Sequence, residues 1–200
     1  MKRQTINLLL LMKKGKPFFI SSQRNPPERS GKYTLPGPLV DLKTKILEYY
    51  SSIKERFDPH ETVCTTLYFA DDLVILHPQG IPEGESKRIL EDFLYRSEKK
   101  HTVWMILDAI LAMMGIPLAF LPGPNLFFYY PAARAVSHYF ARRGVIRAKN
   151  LEKMSFAENA SIDIMQENMS RPESVRPEIE RLEEEYGFTH IERLIHLSGK

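Results

Sequence analysis

Two hundred residues with 43% hydrophobic and 26% charged side chains have the proportions of a folded globular chain, which excludes wholesale disorder and allows a sizeable core. The formal charge of +3 is too small to point to a nucleic-acid partner, and a single cysteine, Cys64, excludes an internal disulfide. Charge is unevenly placed instead: Lys99, Lys100, Arg142, Arg143, Arg147 and Lys149 bracket one apolar region, and glutamates crowd the stretch from Glu173 to Glu192.

The first twenty residues imitate a secretion signal, with Lys2-Arg3 ahead of Leu8-Leu9-Leu10-Leu11-Met12. The apolar run is short, and Lys13-Lys14-Gly15-Lys16 stands where small cleavage-site residues belong, so a strand is expected and no targeting signal. Ile6–Met12 and Pro17–Ser22 flank that glycine-containing loop as a β-hairpin. Ser21–Gly37 is polar and broken by Pro26, Pro27, Gly31, Pro36 and Gly37, the pattern of a loop. Leu39–Phe57 places Leu39, Leu42, Ile46, Leu47, Tyr50 and Ile53 at helical spacing.

Asp58-Pro59-His60-Glu61 combines a capping residue, a proline at the first helical position and a glutamate, which opens a helix to about Ala70, although Thr62, Val63, Thr65 and Thr66 also tolerate a strand. Leu73–His77 reads as a third strand pairing with the N-terminal hairpin, and Ser86–Lys100 as a helix with Ile89, Leu90, Phe93 and Leu94 on one face. Lys99–Arg143 then forms two apolar limbs around Leu121-Pro122-Gly123-Pro124-Asn125, a turn no helix continues through. Ser155-Phe156-Ala157-Glu158 has the form of a capping box opening a short helix. Pro177–Tyr186 reads as a helix ended by Gly187, and Thr189-His190-Ile191-Glu192 caps a last one.

The expected fold class is therefore α+β. A small three-stranded sheet with helices occupies residues 1–100, a long apolar helical hairpin residues 101–144, and a helical, acidic C-terminal extension residues 145–200. The glutamates of the extension are expected to form a solvated helical face.

Val103–Leu121 corresponds to about 28 Å of helix, close to a hydrocarbon core, but Asp108, Gly115 and Pro117 interrupt it. The returning limb carries Arg134 and His138. Asp108 lies fifteen positions before Gly123 and His138 fifteen after, so an antiparallel pair puts them at one level with Arg134 a turn nearer the tip. Asp108 is thus placed to pair with Arg134 or His138, which would make the charges tolerable in an apolar setting. Two settings stay open: a hairpin embedded in or dipping into a membrane, or one buried against the sheet of a soluble protein.

Little in the chain points to catalysis. Tyr68-Phe69-Ala70-Asp71-Asp72 is similar to the paired-aspartate motif of reverse transcriptases, with Phe69 in place of tyrosine. Only Asp41 and Asp58 precede the pair, and the chain is too short for a polymerase palm with its additions. Asp71-Asp72 serves equally as a helix-to-strand turn. The six histidines and one cysteine form no metal-ligand spacing, and no nucleophile elbow, P-loop or dinucleotide fingerprint is present. Ser137 and His138 are adjacent, so they are expected on different helix faces and not as a nucleophile–base pair. No catalytic residue, metal or cofactor is expected.

The turn Pro122-Gly123-Pro124-Asn125, the aromatic run Phe127-Phe128-Tyr129-Tyr130, Arg134 and Ser137-His138, preceded by a limb containing Trp104, together resemble the mitochondrial potassium–proton exchange-related family. The likeness is good from about Thr62 to Gly144 and loose over the N-terminal hairpin. It implies association with the inner mitochondrial membrane and an accessory or regulatory part in electroneutral K⁺/H⁺ exchange. The compact size resembles a short bacterial relative, for which the cytoplasmic membrane is the corresponding site. The expectation is a non-enzymatic protein that contacts membrane lipid and works with a second copy or a membrane-protein partner, with Asp108, Pro122, Gly123, Pro124, Asn125, Arg134, Ser137 and His138 as its functional motif. The alternative is a soluble protein-interaction module with the hairpin as core.

Overall fold

The computed structural model describes residues 4–13, 15–22, 59–115, 126–168, 172–188, 191–192 and 195. The helix expected over Leu39–Phe57, the loop from Gln23 to Gly37 and the Pro122–Asn125 turn lie outside the described residues.

The chain runs β1 (Thr5–Lys13), β2 (Lys16–Ser21), α1 (Pro59–Leu67), β3 (Asp72–His77), α2 (Glu83–Gly115), α3 (Leu126–Lys149), β4 (Met154–Glu158), α4 (Ala160–Glu167) and α5 (Pro172–Tyr186). The four strands form one sheet in the order β2-β1-β3-β4. β1 and β2 are antiparallel, closed by the Lys13–Lys16 pair, where Gly15 takes the positive φ of 73° that such a tight turn requires. β3 is parallel to β1 on one side and to β4 on the other.

Two expectations are corrected here. The sheet has four strands and not three, and the extra one comes from the stretch read as a capping box. Ser155-Phe156-Ala157-Glu158 lies in β4, with Ser155 opposite Val74, Phe156 opposite Ile75 and Glu158 opposite His77. A residue pattern that suits a helix start is overridden by the ladder β3 offers, an interaction eighty residues away in sequence that a local reading does not contain. The helical part of the C-terminal stretch follows at once: Asn159 caps α4 by accepting a hydrogen bond from the Ser161 amide at 2.9 Å. Helix α5 starts five residues earlier than expected, at Pro172, and keeps Pro177 within it.

The run Leu8–Leu11 is explained by the layers. Ile6, Leu8 and Leu10 point into one core with Val63, Leu67, Leu90, Leu94, Ala141 and Val145, from helices α1, α2 and α3. Leu9 and Leu11 point into a second core with Ile162, Met165, Val175, Ile179, Leu182 and Phe188, mainly from α4 and α5. A strand covered on both faces needs apolar side chains at every position rather than every other one. Each such leucine contributes about 2 kcal/mol of burial. The acidic C-terminal helices therefore carry one whole face of the sheet on their apolar sides.

Helices α2 and α3 make up the crossover between the parallel strands β3 and β4. They run antiparallel, as successive contacts between Glu98 and Lys149, Thr102 and Arg142, His101 and His138, and Asp108 and Arg134 require. Their base lies on the sheet through Leu90, Leu94, Ala141, Val145 and Ala148. Helix α1 packs across α3, so closely that Gly144 has no room for a side chain: a Cβ there would stand 1.9 Å from the Cys64 carbonyl oxygen. Among the described residues, no helix is long and apolar enough to cross a membrane.

Candidate functional site: the hairpin seam

The buried residues of α2 beyond its first turn are Leu90, Leu94, Ser97, His101, Asp108, Ala112 and Gly115. Their spacing follows the alternation of three and four that marks a coiled-coil seam. The seam is apolar at the sheet end and turns polar at His101 and Asp108, both at most 5% exposed. Facing them on α3 are His138, 2% exposed, and Arg134.

Asp108 Oδ2 is the hub. Arg134 Nε donates to it at 3.3 Å, and His138 Nε2 lies 3.5 Å away. His138 Nδ1 faces His101 Nδ1 at 3.0 Å and stands 3.8 Å from Glu61 Oε2 on α1. Ser137 Oγ donates to Glu61 Oε1 in a short hydrogen bond. The Arg134 guanidinium is framed by two rings, 5.7 Å from the centroid of Trp104 and 5.8 Å from that of Tyr130, whose hydroxyl accepts from Arg134 Nη1 at 3.4 Å. Partial burial alone would lower the Arg134 pKa, but the Tyr130 hydroxyl and the Asp108 carboxylate outweigh it and leave the pKa raised, so the cation is permanent.

Two ring nitrogens 3.0 Å apart need one proton between them. At the other edge of the ring, His138 Nε2 faces both Arg134 Nη2, always a donor, at 3.3 Å and Asp108 Oδ2 at 3.5 Å.

Four residues named from the sequence meet here: Asp108, Arg134, Ser137 and His138. Asp108 reaches both of its expected partners, Arg134 and His138. Ser137 and His138 meet different oxygens of one carboxylate, Oε1 and Oε2 of Glu61. Pro122, Gly123, Pro124 and Asn125 lie outside the described residues. Two participants were not anticipated. His101 was legible in principle, since it stands seven residues before Asp108 and so shares its seam position. Glu61 carried no such signal, because its place opposite Ser137 depends on the packing of α1 on α3.

The paired aspartates serve a different purpose. Asp71 accepts from Arg147 Nη2 at 2.7 Å and from the Gln4 amide at 3.0 Å, while Arg147 Nε donates to the Ala70 carbonyl at 2.6 Å. Asp71 therefore clamps the α1–β3 turn to the start of β1 and the end of α3.

The outside of the hairpin reverses the usual pattern. Beyond its polar seam, α2 exposes Val103, Trp104, Ile106, Leu107, Ile110, Leu111, Met113 and Met114, each between 42% and 70% accessible. Helix α3 adds Tyr130, Val136, Tyr139 and Phe140. The hairpin thus buries ionisable groups at its centre and exposes large apolar ones on its surface.

A family model described as mitochondrial K⁺–H⁺ exchange-related matches residues 40–155. The chain belongs to that family. All six seam residues, Glu61, His101, Asp108, Arg134, Ser137 and His138, fall within the matched region, together with α1, β3 and the entire described hairpin. Strands β1 and β2 and helices α4 and α5 lie outside it. No curated protein and no solved structure matches the chain.

Proposed function

We propose that this member of the K⁺–H⁺ exchange-related family is a non-catalytic, membrane-associated accessory protein that supports or regulates cation–proton exchange. The reading rests on the inverted hairpin, whose buried groups are ionisable and whose exposed groups are apolar. From Val103 to Gly115 the described apolar surface extends about 18 Å, which suits entry into one leaflet rather than a crossing. The seam then holds a carboxylate, a guanidinium and two imidazoles against one another, which makes ionisable groups tolerable in a low-dielectric setting. A single hairpin offers no means of alternating access, so exchange itself belongs to an oligomer or a partner that this protein accompanies. The corresponding location is the inner mitochondrial membrane in a eukaryote, or the cytoplasmic membrane in a bacterium.

The decisive experiment is gentle lysis followed by carbonate extraction. The protein is expected in the membrane pellet and to resist carbonate. Recovery in the soluble fraction as a complex with another protein would favour the rival reading, an interaction module whose apolar band is covered by its partner.

A further inference from the structure

We propose that Lys99, Lys100, Arg142 and Arg143 form a collar that seats the hairpin on an anionic phospholipid leaflet. This rests on the membrane reading above and adds to it a lipid class and a depth. The register carries the argument. The Arg142 Nε bond to Thr102 Oγ1 at 2.9 Å and the His101–His138 contact set the two basic pairs at one height, on opposite arms of the hairpin. Lys99, Lys100 and Arg143 are exposed there, and Arg142 is half-buried with its guanidinium partly held by Thr102.

On the tip side of the collar come Trp104 and Tyr139, 42% and 45% exposed. These amphipathic rings suit the boundary between headgroups and acyl chains. Beyond Trp104 the α2 surface is apolar as far as Met114. The sign of the charge is also one-sided. Between Lys99 and Lys149 the sequence has seven basic residues and a single carboxylate, Asp108, which is buried and matched to Arg134. Glu98, one residue before the collar, is ion-paired with Lys149 at 2.5 Å and so is already matched to a cation. Basic ring, aromatic belt and apolar end follow one another in the order in which a leaflet presents phosphate, glycerol and acyl chain.

The test is flotation of the purified full-length chain with two kinds of vesicle, phosphatidylcholine alone and phosphatidylcholine mixed with phosphatidylglycerol. The wild type is expected to partition into the mixed vesicles more strongly, and added salt should reduce the difference. The K99Q/K100Q/R143Q variant should lose roughly fivefold in partition coefficient per charge removed, while K99R/K100R keeps the wild-type value. Equal partition into both vesicles, or a triple variant indistinguishable from wild type, overturns the collar and leaves membrane association standing. Failure to float with either vesicle, with the chain found as a dimer, overturns both and assigns the apolar band to a second copy. Where the triple variant also changes its circular dichroism spectrum, K99R/K100R, folded and still basic, decides: wild-type partition that falls with added salt supports the collar, and lost partition overturns it.

Discussion

Nδ1 of His101 and Nδ1 of His138 lie 3.0 Å apart at the centre of the hairpin, each ring almost fully buried. Among the described residues, Glu61, Asp108 and Arg134 present charged groups to the His138 ring. His101→Ala removes the ring that faces His138 Nδ1 and should destabilise the fold by about 2 kcal/mol in urea unfolding. Hydrogen exchange should show α2 and α3 opening more readily in that variant. Stability and exchange equal to wild type would mean that the contact does not tie the two arms together.

Asp108 has a second consequence. It serves Arg134 and His138 at once, at 3.3 and 3.5 Å, with a side chain 7% exposed. Asp108→Ala leaves a buried imidazole and a partly buried guanidinium without their carboxylate and should cost about 3 kcal/mol in urea unfolding. Arg134→Met alone should also destabilise, but the double variant should lose less than the sum of the two. Additive losses would mean the two side chains are not coupled.

Gly144 and Gly84 should respond in opposite directions to the same substitution. A Cβ at Gly144 meets the Cys64 carbonyl at 1.9 Å and the Tyr68 amide nitrogen at 2.8 Å, backbone on both counts, so α1 must move away from α3. Gly144→Ala should cost about 3 kcal/mol and disturb the Glu61 contacts with the seam. Gly84, in the first turn of α2, has nothing within 4 Å of its Cβ position, and Gly84→Ala should stabilise by about 0.5 kcal/mol. Thermal melts of the two variants check both signs.

The C-terminal helices give an alkaline signature. Burial, and after it the hydrogen bond and charge of Glu185, raise the Tyr186 pKa above its ordinary value of 10.0. The folded state therefore favours the protonated phenol. Its contribution is complete below the unfolded pKa and is lost as pH rises through the folded one. Unfolding free energies measured from pH 9 to pH 12 should fall across this window, and Tyr186→Phe should make the fall shallower. An identical slope in the variant would place the alkaline loss elsewhere.

The sequence made the hairpin and its central pairing legible, because both depend on local quantities: helical period, a turn of prolines and glycine, and equal counts outward from Gly123. The β1–β3 pairing was also within reach, since Leu8–Leu11 and Leu73–His77 are compact apolar runs. What escaped were features created by distant packing. Ser155 and Glu158 suit a helix start until β3 supplies a parallel ladder. Glu61 looks like part of a helix cap until α1 crosses α3 and brings it to Ser137. The glutamate-rich C-terminus reads as a solvated face, and its other side, Val175, Ile179 and Leu182, covers half the sheet. Val103–Leu121 has the length of a membrane span in the sequence, but no described helix is long and apolar enough to cross a membrane.

Trp104 is the chain's only tryptophan, and it stands half exposed at the collar against Arg134. It reports the environment of the hairpin without any label. On addition of vesicles containing phosphatidylglycerol, its emission should shift to shorter wavelength, and lipids carrying a quencher just below the headgroup should quench it. Emission that stays at its aqueous wavelength, unquenched at every depth, would contradict the entry of this hairpin into lipid.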